Sequence, residues 1–421
     1  MAGPQSGPRP SRPQSWPRCW PRSWPITACT LASGLGRGRA ATFEALAAGR
    51  SGLVRRRFET ADIDTWLGVV DEVDEVRLPA ALAAFDCRNN RLAHLALHTD
   101  GFAEAVQAAA ARFGAHRVGV FLGTSTSGIL STEVAYRERD ALTGALPGWL
   151  DYARTHDTYS LARFVRTALA LAGPAQVVST ACSSSAKVFG TAARMLAAGI
   201  VDAAVVGGVD TLCMTTLYGF RALELLSPEI CRPWDVQRHG LSLGEGAGFA
   251  LLERTAHGSV HGHLLACGES SDGHHMSAPH PEGAGAAAAM REALAQARLA
   301  PANIDYLNLH GTATPGNDAA EDRAVAAVFG ANAATLACSS TKGYTGHTLG
   351  AAGGVEAVIC LLTLAYGWLP PTLNLRQPDP ALGLPVLREA RQARPRVVAS
   401  NSFGFGGSNA CLLFGAAETR S

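Results

Sequence analysis

The 421-residue sequence is short of charge, of long apolar runs and of paired cysteines. Only 17% of its residues are Asp, Glu, Lys or Arg, and the net charge is +1. That balance excludes a bulk electrostatic attraction to nucleic acid or to an anionic membrane surface. No basic stripe interleaved with aromatics follows the first segment. The ten cysteines show no Cys-x-x-Cys pair and no zinc-like spacing, and sit among small apolar residues, as in Ala28-Cys29, Ala266-Cys267 and Ile359-Cys360. This usage implies a reducing compartment, and a cytoplasmic location is expected. The longest apolar stretch, Ala357 to Leu369, is too short to span a bilayer and adjoins Glu356, so it reads as a buried helix.

The first 25 residues differ from the rest, with seven prolines, four arginines and three tryptophans. They contain no apolar core of a secretory signal and read as a disordered tail, the alternative being a short docking segment. The globular pattern begins near Ile26.

What is present is glycine, 45 residues in short patches such as Gly207-Gly208, Gly244 to Gly248, Gly353-Gly354 and Gly404 to Gly407. Such patches admit close backbone approach or positive φ. Strand-like runs (Val118 to Leu122, Ala203 to Val206, Ala247 to Leu252, Ala410 to Phe414) alternate with helical runs (Leu92 to Phe113, Ala186 to Ala198, Gly285 to Ala297, Ala319 to Ala327, Ala351 to Leu364). This alternation predicts an α/β fold with buried sheets. A small-residue helix after Cys182 is echoed by one from Leu349 to Tyr366 after Ser340 to His347. The echo suggests two related lobes, 26–255 and 256–416, followed by a tail at 417–421.

Four segments carry chemistry. Cys182, in Thr180-Ala181-Cys182-Ser183-Ser184-Ser185, falls between a strand ending at Ser179 and a helix from Ala186. A helix N-terminus there is expected to lower the thiol pKa and make a nucleophile, against the alternative of an inert buried thiol. His310, in His310-Gly311-Thr312-Ala313-Thr314-Pro315, is expected at a strand end, with Glu321 on the helix that follows. Lys342 and His347 share Thr341-Lys342-Gly343-Tyr344-Thr345-Gly346-His347 ahead of a Gly/Ala-rich helix. Asn401-Ser402-Phe403-Gly404-Phe405-Gly406-Gly407-Ser408-Asn409 is a glycine-rich loop able to aim a backbone N–H into a site. Arg232-Pro233-Trp234-Asp235, Arg238-His239-Gly240 and Gly244-Glu245-Gly246 read as a salt-bridged turn and close strand packing. Asp272 to His280, with His274, His275 and His280, reads as a loop rather than a metal site.

Together and in this order, these four motifs resemble the β-ketoacyl-acyl-carrier-protein synthases of fatty-acid and polyketide type, over residues 26–416. The resemblance implies a thiolase-like fold, two related α/β lobes in five layers αβαβα, normally dimeric. It implies that Cys182 is the acylated nucleophile, that His310 and His347 are the pair at the malonyl group, and that Lys342 supports them. It further implies that Glu321 is the acidic residue after the His310 motif and that Thr312 and Thr314 line a phosphopantetheine tunnel. Phe405 matches the gating residue whose N–H joins that of Cys182 in an oxyanion hole, with Phe403 beside the substrate. The implied reaction is a decarboxylative Claisen condensation with acyl carrier protein as partner and no cofactor or metal.

Two departures stand out. Leu241 occupies a position that is usually aromatic. The Gly123 to Pro147 region, which in the family shapes the acyl pocket and dimer interface, is closer to synthases of aryl-polyene clusters. Arg88, Arg91 and Arg55-Arg56-Arg57 are candidates for a basic patch docking the acidic carrier protein. A thiolase would need a second reactive cysteine, for which Cys411 is the candidate. A non-catalytic subunit that sets chain length would lack the nucleophile, and chalcone-type synthases pair Cys with one His and an Asn.

Overall fold

The computed structural model of the chain describes residues 23–417. Of the tails expected over residues 1–25 and 417–421, residues 1–22 and 418–421 lie outside the described residues. Residues 24 and 25, expected in the tail, belong to the first strand, where Trp24 is buried.

Ten strands form the main path of one sheet. In chain order they are β1 (Trp24–Ser33), β2 (Val118–Gly123), β3 (Ala175–Val178), β4 (Ala203–Asp210), β5 (Gly246–Glu253), β6 (Gly262–Ser271), β7 (Tyr306–Asn308), β8 (Ala337–Ser339), β9 (Val397–Gly404) and β10 (Ser408–Gly415). Their spatial order is β8-β7-β9-β10-β6-β1-β5-β4-β2-β3. The second five repeat the first five strand for strand. In each set the first strand pairs antiparallel with the last, the last pairs antiparallel with the fourth, and the remaining pairs are parallel. The sets join edge to edge where Trp24 and Ile26 face Leu264 and Gly262.

The helices that cover these strands include α1 (Arg88–Leu97), α2 (Phe102–Phe113), α3 (Tyr159–Ala168), α4 (Ser184–Ala197), α5 (Ala284–Ala297), α6 (Pro315–Phe329) and α7 (Ala352–Tyr366). One apolar cluster joins α1, α2 and α3 to one face of the first strand set. A second joins α5 and α6 to one face of the second set. Between them a third packs α4 and α7 against the inner faces of both. Strand β10 shows the alternation directly, with Leu412 and Phe414 facing the middle layer and Cys411 and Leu413 facing outward. The result is a five-layer αβαβα sandwich. Burial on both faces explains why β4 and β5 read as nearly continuous runs of small and apolar residues.

The single helical run expected from Leu92 to Phe113 is two helices. Asp100 (φ 57°) and Gly101 (φ 71°) take left-handed conformations that end the first and restart the chain. The segment Leu349–Tyr366 is apolar and long enough to cross a bilayer by composition, but it is 83% buried in the middle layer and serves as a core helix. The nine described cysteines are free and buried.

The middle layer fixes the site. Helices α4 and α7 meet at their N-termini through small residues, where a Cβ on Gly353 would stand 2.6 Å from the Ala186 backbone nitrogen. The Gly354 N–H donates to Ser185 Oγ at 2.8 Å. Gly353→Ala is therefore expected to destabilise the fold by about 1–3 kcal/mol through overpacking. Thermal denaturation checks this, with Gly148→Ala as a neutral control, since nothing lies within 4 Å of a Cβ there.

Candidate active site

Cys182 lies in the turn between β3 and α4. The turn is tight: Ala181 has φ 52°, Thr180 N–H donates to Ser184 Oγ at 2.9 Å, and the Ser184 hydroxyl donates to Ala181 O at 2.5 Å. The thiol is 5% exposed. Burial pushes it up to about 12, opposed by the Lys342 charge, reinforced by Asp210, and eased by the Phe405 backbone N–H directed at the sulfur. The expected depression by a helix N-terminus is thus overturned. Desolvation disfavours the thiolate, and the resting group is a thiol.

His347 comes from the corresponding turn between β8 and α7. Its Nε2 stands 2.9 Å from Cys182 Sγ. Its backbone is clamped, with N–H donating to Ser242 O at 2.8 Å and O accepting from Gly244 N–H at 3.0 Å. A Cβ on Gly244 would lie 2.2 Å from Thr345 O, so this strand requires glycine to approach the His347 turn. The Gly244-Glu245-Gly246 segment, expected to serve strand packing, thereby also positions His347.

His310 follows β7. Its ring faces that of His347 edge-on, with centroids 5.4 Å apart, and contacts Phe403 at 5.5 Å. Burial holds both imidazoles well below their ordinary pKa; Lys342 adds to this at both rings, and His347 adds to it at His310. Both rings are neutral at physiological pH.

Lys342 is 1% exposed. Its Nζ donates to Glu356 Oε1 at 2.5 Å and lies 3.5 Å from His310 Nδ1. Glu356, on α7, was not singled out in the sequence; the one cue was a lone acid heading an apolar helix. Glu321 lies on α6, the helix after the His310 motif, as expected. Its carboxylate accepts from the backbone N–H groups of His310 and Gly311, each at 2.8 Å, and from Asn401 Nδ2 at 3.0 Å. It lies behind the cavity wall, holding the histidine turn from the rear. Burial pushes its carboxyl up to about 7.

A cavity of about 170 Å³ opens onto Cys182, His310 and His347. Thr312 and Thr314 line it, their hydroxyls 2.8 Å apart. Phe403, Phe405, Phe220, Leu225 and Leu241 supply its apolar wall, and the Phe405 and Phe220 rings lie 5.5 Å apart. The loop around Phe405 is tied to the histidine-rich loop, because Gly406 N–H donates to Met276 O at 2.7 Å. In that loop His275 Nδ1 accepts from Ser277 and Ala278 N–H, and His280 Nδ1 accepts from Glu282 N–H. The Arg232 to Gly240 turn is a buried ion-pair network in which Arg238 reaches Asp379 at 2.7 Å and Asp318 at 3.4 Å.

Some candidates fall elsewhere. Arg88 is 8% exposed and its guanidinium is bound to Glu245 at 2.6 Å, so it is a core residue and not part of a docking patch. Arg55, Arg56, Arg57 and Arg91 are each paired with an aspartate, which cancels the expected local positive field. Cys411 is buried in β10 and faces the outer apolar layer, away from the cavity.

Because the resting Cys182 is a thiol, its carbamidomethylation by iodoacetamide is expected to accelerate about tenfold per pH unit over roughly pH 6 to 9, without a plateau. Peptide mass spectrometry across that range reads the rate. A plateau near neutrality would show a preformed thiolate–imidazolium pair instead.

The chain is similar to known proteins over most of its length. Residues 84–258 match the family model "Beta-ketoacyl synthase, N-terminal domain", and residues 261–376 match "Beta-ketoacyl synthase, C-terminal domain". The mitochondrial 3-oxoacyl-[acyl-carrier-protein] synthase of Arabidopsis thaliana is 43% identical over 260 residues, 58% of this chain; that match spans only 56% of the relative's own length. The 3-oxoacyl-[acyl-carrier-protein] synthase 2 of Vibrio cholerae is 33% identical over 92% of this chain and 98% of its own. Among solved structures, the complex of ketosynthase ApeO with its chain length factor ApeC from Xenorhabdus doucetiae matches with TM-score 0.85 and 37% identity, covering 96% of this chain and 100% of the other. On these grounds the chain belongs to the beta-ketoacyl synthase family.

Proposed function

We propose that this protein is a 3-oxoacyl-[acyl-carrier-protein] synthase that condenses an acyl thioester on Cys182 with malonyl-carrier protein. The observation that carries this reading is the 2.9 Å contact between Cys182 Sγ and His347 Nε2, with the Phe405 N–H aimed at the same sulfur. His347 accepts the thiol proton as sulfur attacks the acyl thioester, and returns it to the departing pantetheine thiol. Thr312 and Thr314 line the route by which the pantetheine arm enters.

In the second half, malonyl thioester loses CO2, and the electrons of the broken C–C bond become an enolate. The neutral His310 and His347 rings donate to its oxygen. The enolate carbon attacks the Cys182 thioester. The tetrahedral oxyanion is held by the N–H groups of Phe405 and Cys182, and collapse releases the Cys182 sulfur as a thiolate that takes up a proton from solvent. Lys342, neutralised by Glu356, orients His310. Glu321 is a positioning residue acting through the His310-Gly311 backbone. Decarboxylation drives carbon–carbon bond formation, so the chemistry requires no cofactor.

The partner in this reading is acyl carrier protein in acyl and malonyl forms. A dimer is proposed, either with a second copy or with a related subunit of the kind that accompanies the Xenorhabdus ketosynthase. The pathway is fatty-acid or aryl-polyene/polyketide synthesis in the cytoplasm. The two lobes divide between Glu253 and Gly262, close to the expected boundary at residues 255 and 256, as the repeated strand order supports.

Cys182→Ala is expected to abolish condensation of an acyl-carrier protein with malonyl-carrier protein, read as product mass. Normal extension by that variant overturns the mechanism. His310→Ala is expected to slow malonyl decarboxylation while Cys182 still accepts acyl groups; the reverse pattern contradicts its role. Leu241→Phe narrows the apolar wall and is expected to shift preference toward shorter acyl chains across a panel of acyl-carrier proteins.

A further inference from the structure

Cys182, His310 and His347 are, among the described residues, the one group of three or more His, Cys, Asp or Glu side chains whose donor atoms converge, all lying within 4.8 Å of one another. All three are buried, and all three face one open cavity. One thiolate and two imidazoles, with a fourth position left open, make a donor set suited to a tetrahedral zinc ion.

We propose that the free enzyme binds one Zn²⁺ per protomer on Cys182 Sγ, His310 and His347, with water from the cavity as the fourth ligand. In a tetrahedral site with Zn–N of ~2.0–2.1 Å and Zn–S of ~2.3 Å, donors stand ~3.3–3.6 Å apart. Side-chain rotations of roughly 1 Å bring the three donors to that spacing from the separations present here. On binding, the Cys182 S–H bond breaks, the sulfur electron pair goes to zinc and the proton goes to solvent. His347 offers Nε2, which already points at the sulfur. His310 has its Nδ1 toward Lys342, leaving Nε2 for the metal. The Lys342 ammonium lies 2.5 Å from Glu356, which offsets part of the positive charge it presents to the ion.

The site rests on donor geometry alone. Its consequence rests on the condensing function proposed above: the same sulfur cannot hold both an acyl group and zinc. Metal binding and acyl loading then exclude each other, and zinc acts as a reversible inhibitor of the unloaded enzyme while the acyl-enzyme is protected.

Cobalt(II) titration of the full chain tests the site, with equilibrium dialysis for zinc. The expected result is one ion per protomer, with a sulfur-to-cobalt charge-transfer band and the intense visible bands of tetrahedral cobalt. Carbamidomethylation of Cys182 in the wild-type protein, or Cys182→Ala, should remove the charge-transfer band. Each should weaken binding by at least ~10–100-fold, a loss that even outer partners of a metal ligand can cause. The alkylated wild type guards against a variant that fails to fold. Simultaneous His274→Ala, His275→Ala and His280→Ala should leave the spectrum unchanged. A spectrum without tetrahedral cobalt, binding that survives alkylation, or binding lost with the three loop histidines overturns the proposal. A protein that binds cobalt in this way but never condenses acyl groups leaves the metal site standing and refutes the function.

Discussion

The close contact of Gly353 and Gly354 with Ala186 and Ser185 is the constraint on which the rest depends. It brings together the N-termini of two helices that occupy equivalent places in the two strand sets. The turn before one helix carries Cys182, and the turn before the other carries His347. Neither half alone contains a site. A bulkier pair at this crossing would separate the sulfur from the imidazole by more than a hydrogen bond tolerates, whatever the two turns looked like individually. The glycine-dependent approach of the Gly244 strand to the His347 turn adds a second brace from the first half.

Burial then decides the chemistry. Two imidazoles, a lysine, two glutamates and a thiol share a buried interior. Each charge is met locally: Lys342 by Glu356, and Glu321 by two backbone N–H groups and Asn401. The histidines stay neutral because the same desolvation, together with Lys342, disfavours their protonation. In the reaction proposed above, neutral imidazoles serve as donors to an enolate oxygen and as acceptors of a thiol proton. A buried thiol that ionises only when substrate arrives keeps the cavity free of an unpaired anion.

The α/β class, the two-fold echo and the order of motifs were legible in the sequence, because buried strands read as small apolar runs and each motif sits at a strand end. The family resemblance carried by that order implied that Cys182, His310 and His347 meet, and they line one cavity with Lys342 behind His310. What stayed hidden was set by tertiary contact. Glu356 shows only as an acid at the start of an apolar helix, with nothing local to mark Lys342 as its partner. The role of Glu321 depends on which way its carboxylate turns, and it turns to the backbone. Arg88 looked like a surface cation because Glu245, its partner, lies far along the chain. The thiol was expected to be acidified by a helix dipole, an effect visible in sequence, whereas the effect of burial is not. The break at Asp100 and Gly101 was missed because a helical period runs on either side of it.

The central claim is that Cys182 carries the growing acyl chain between the two halves of the reaction. Intact-protein mass spectrometry after exposure to acyl-carrier protein, followed by addition of malonyl-carrier protein, tests it most directly. The account predicts one acyl adduct, mapped to the peptide containing Cys182, that disappears on malonyl addition as a product two carbons longer is released with CO2. An adduct on another residue, or an adduct on Cys182 that malonyl-carrier protein leaves in place while product still forms, would contradict it.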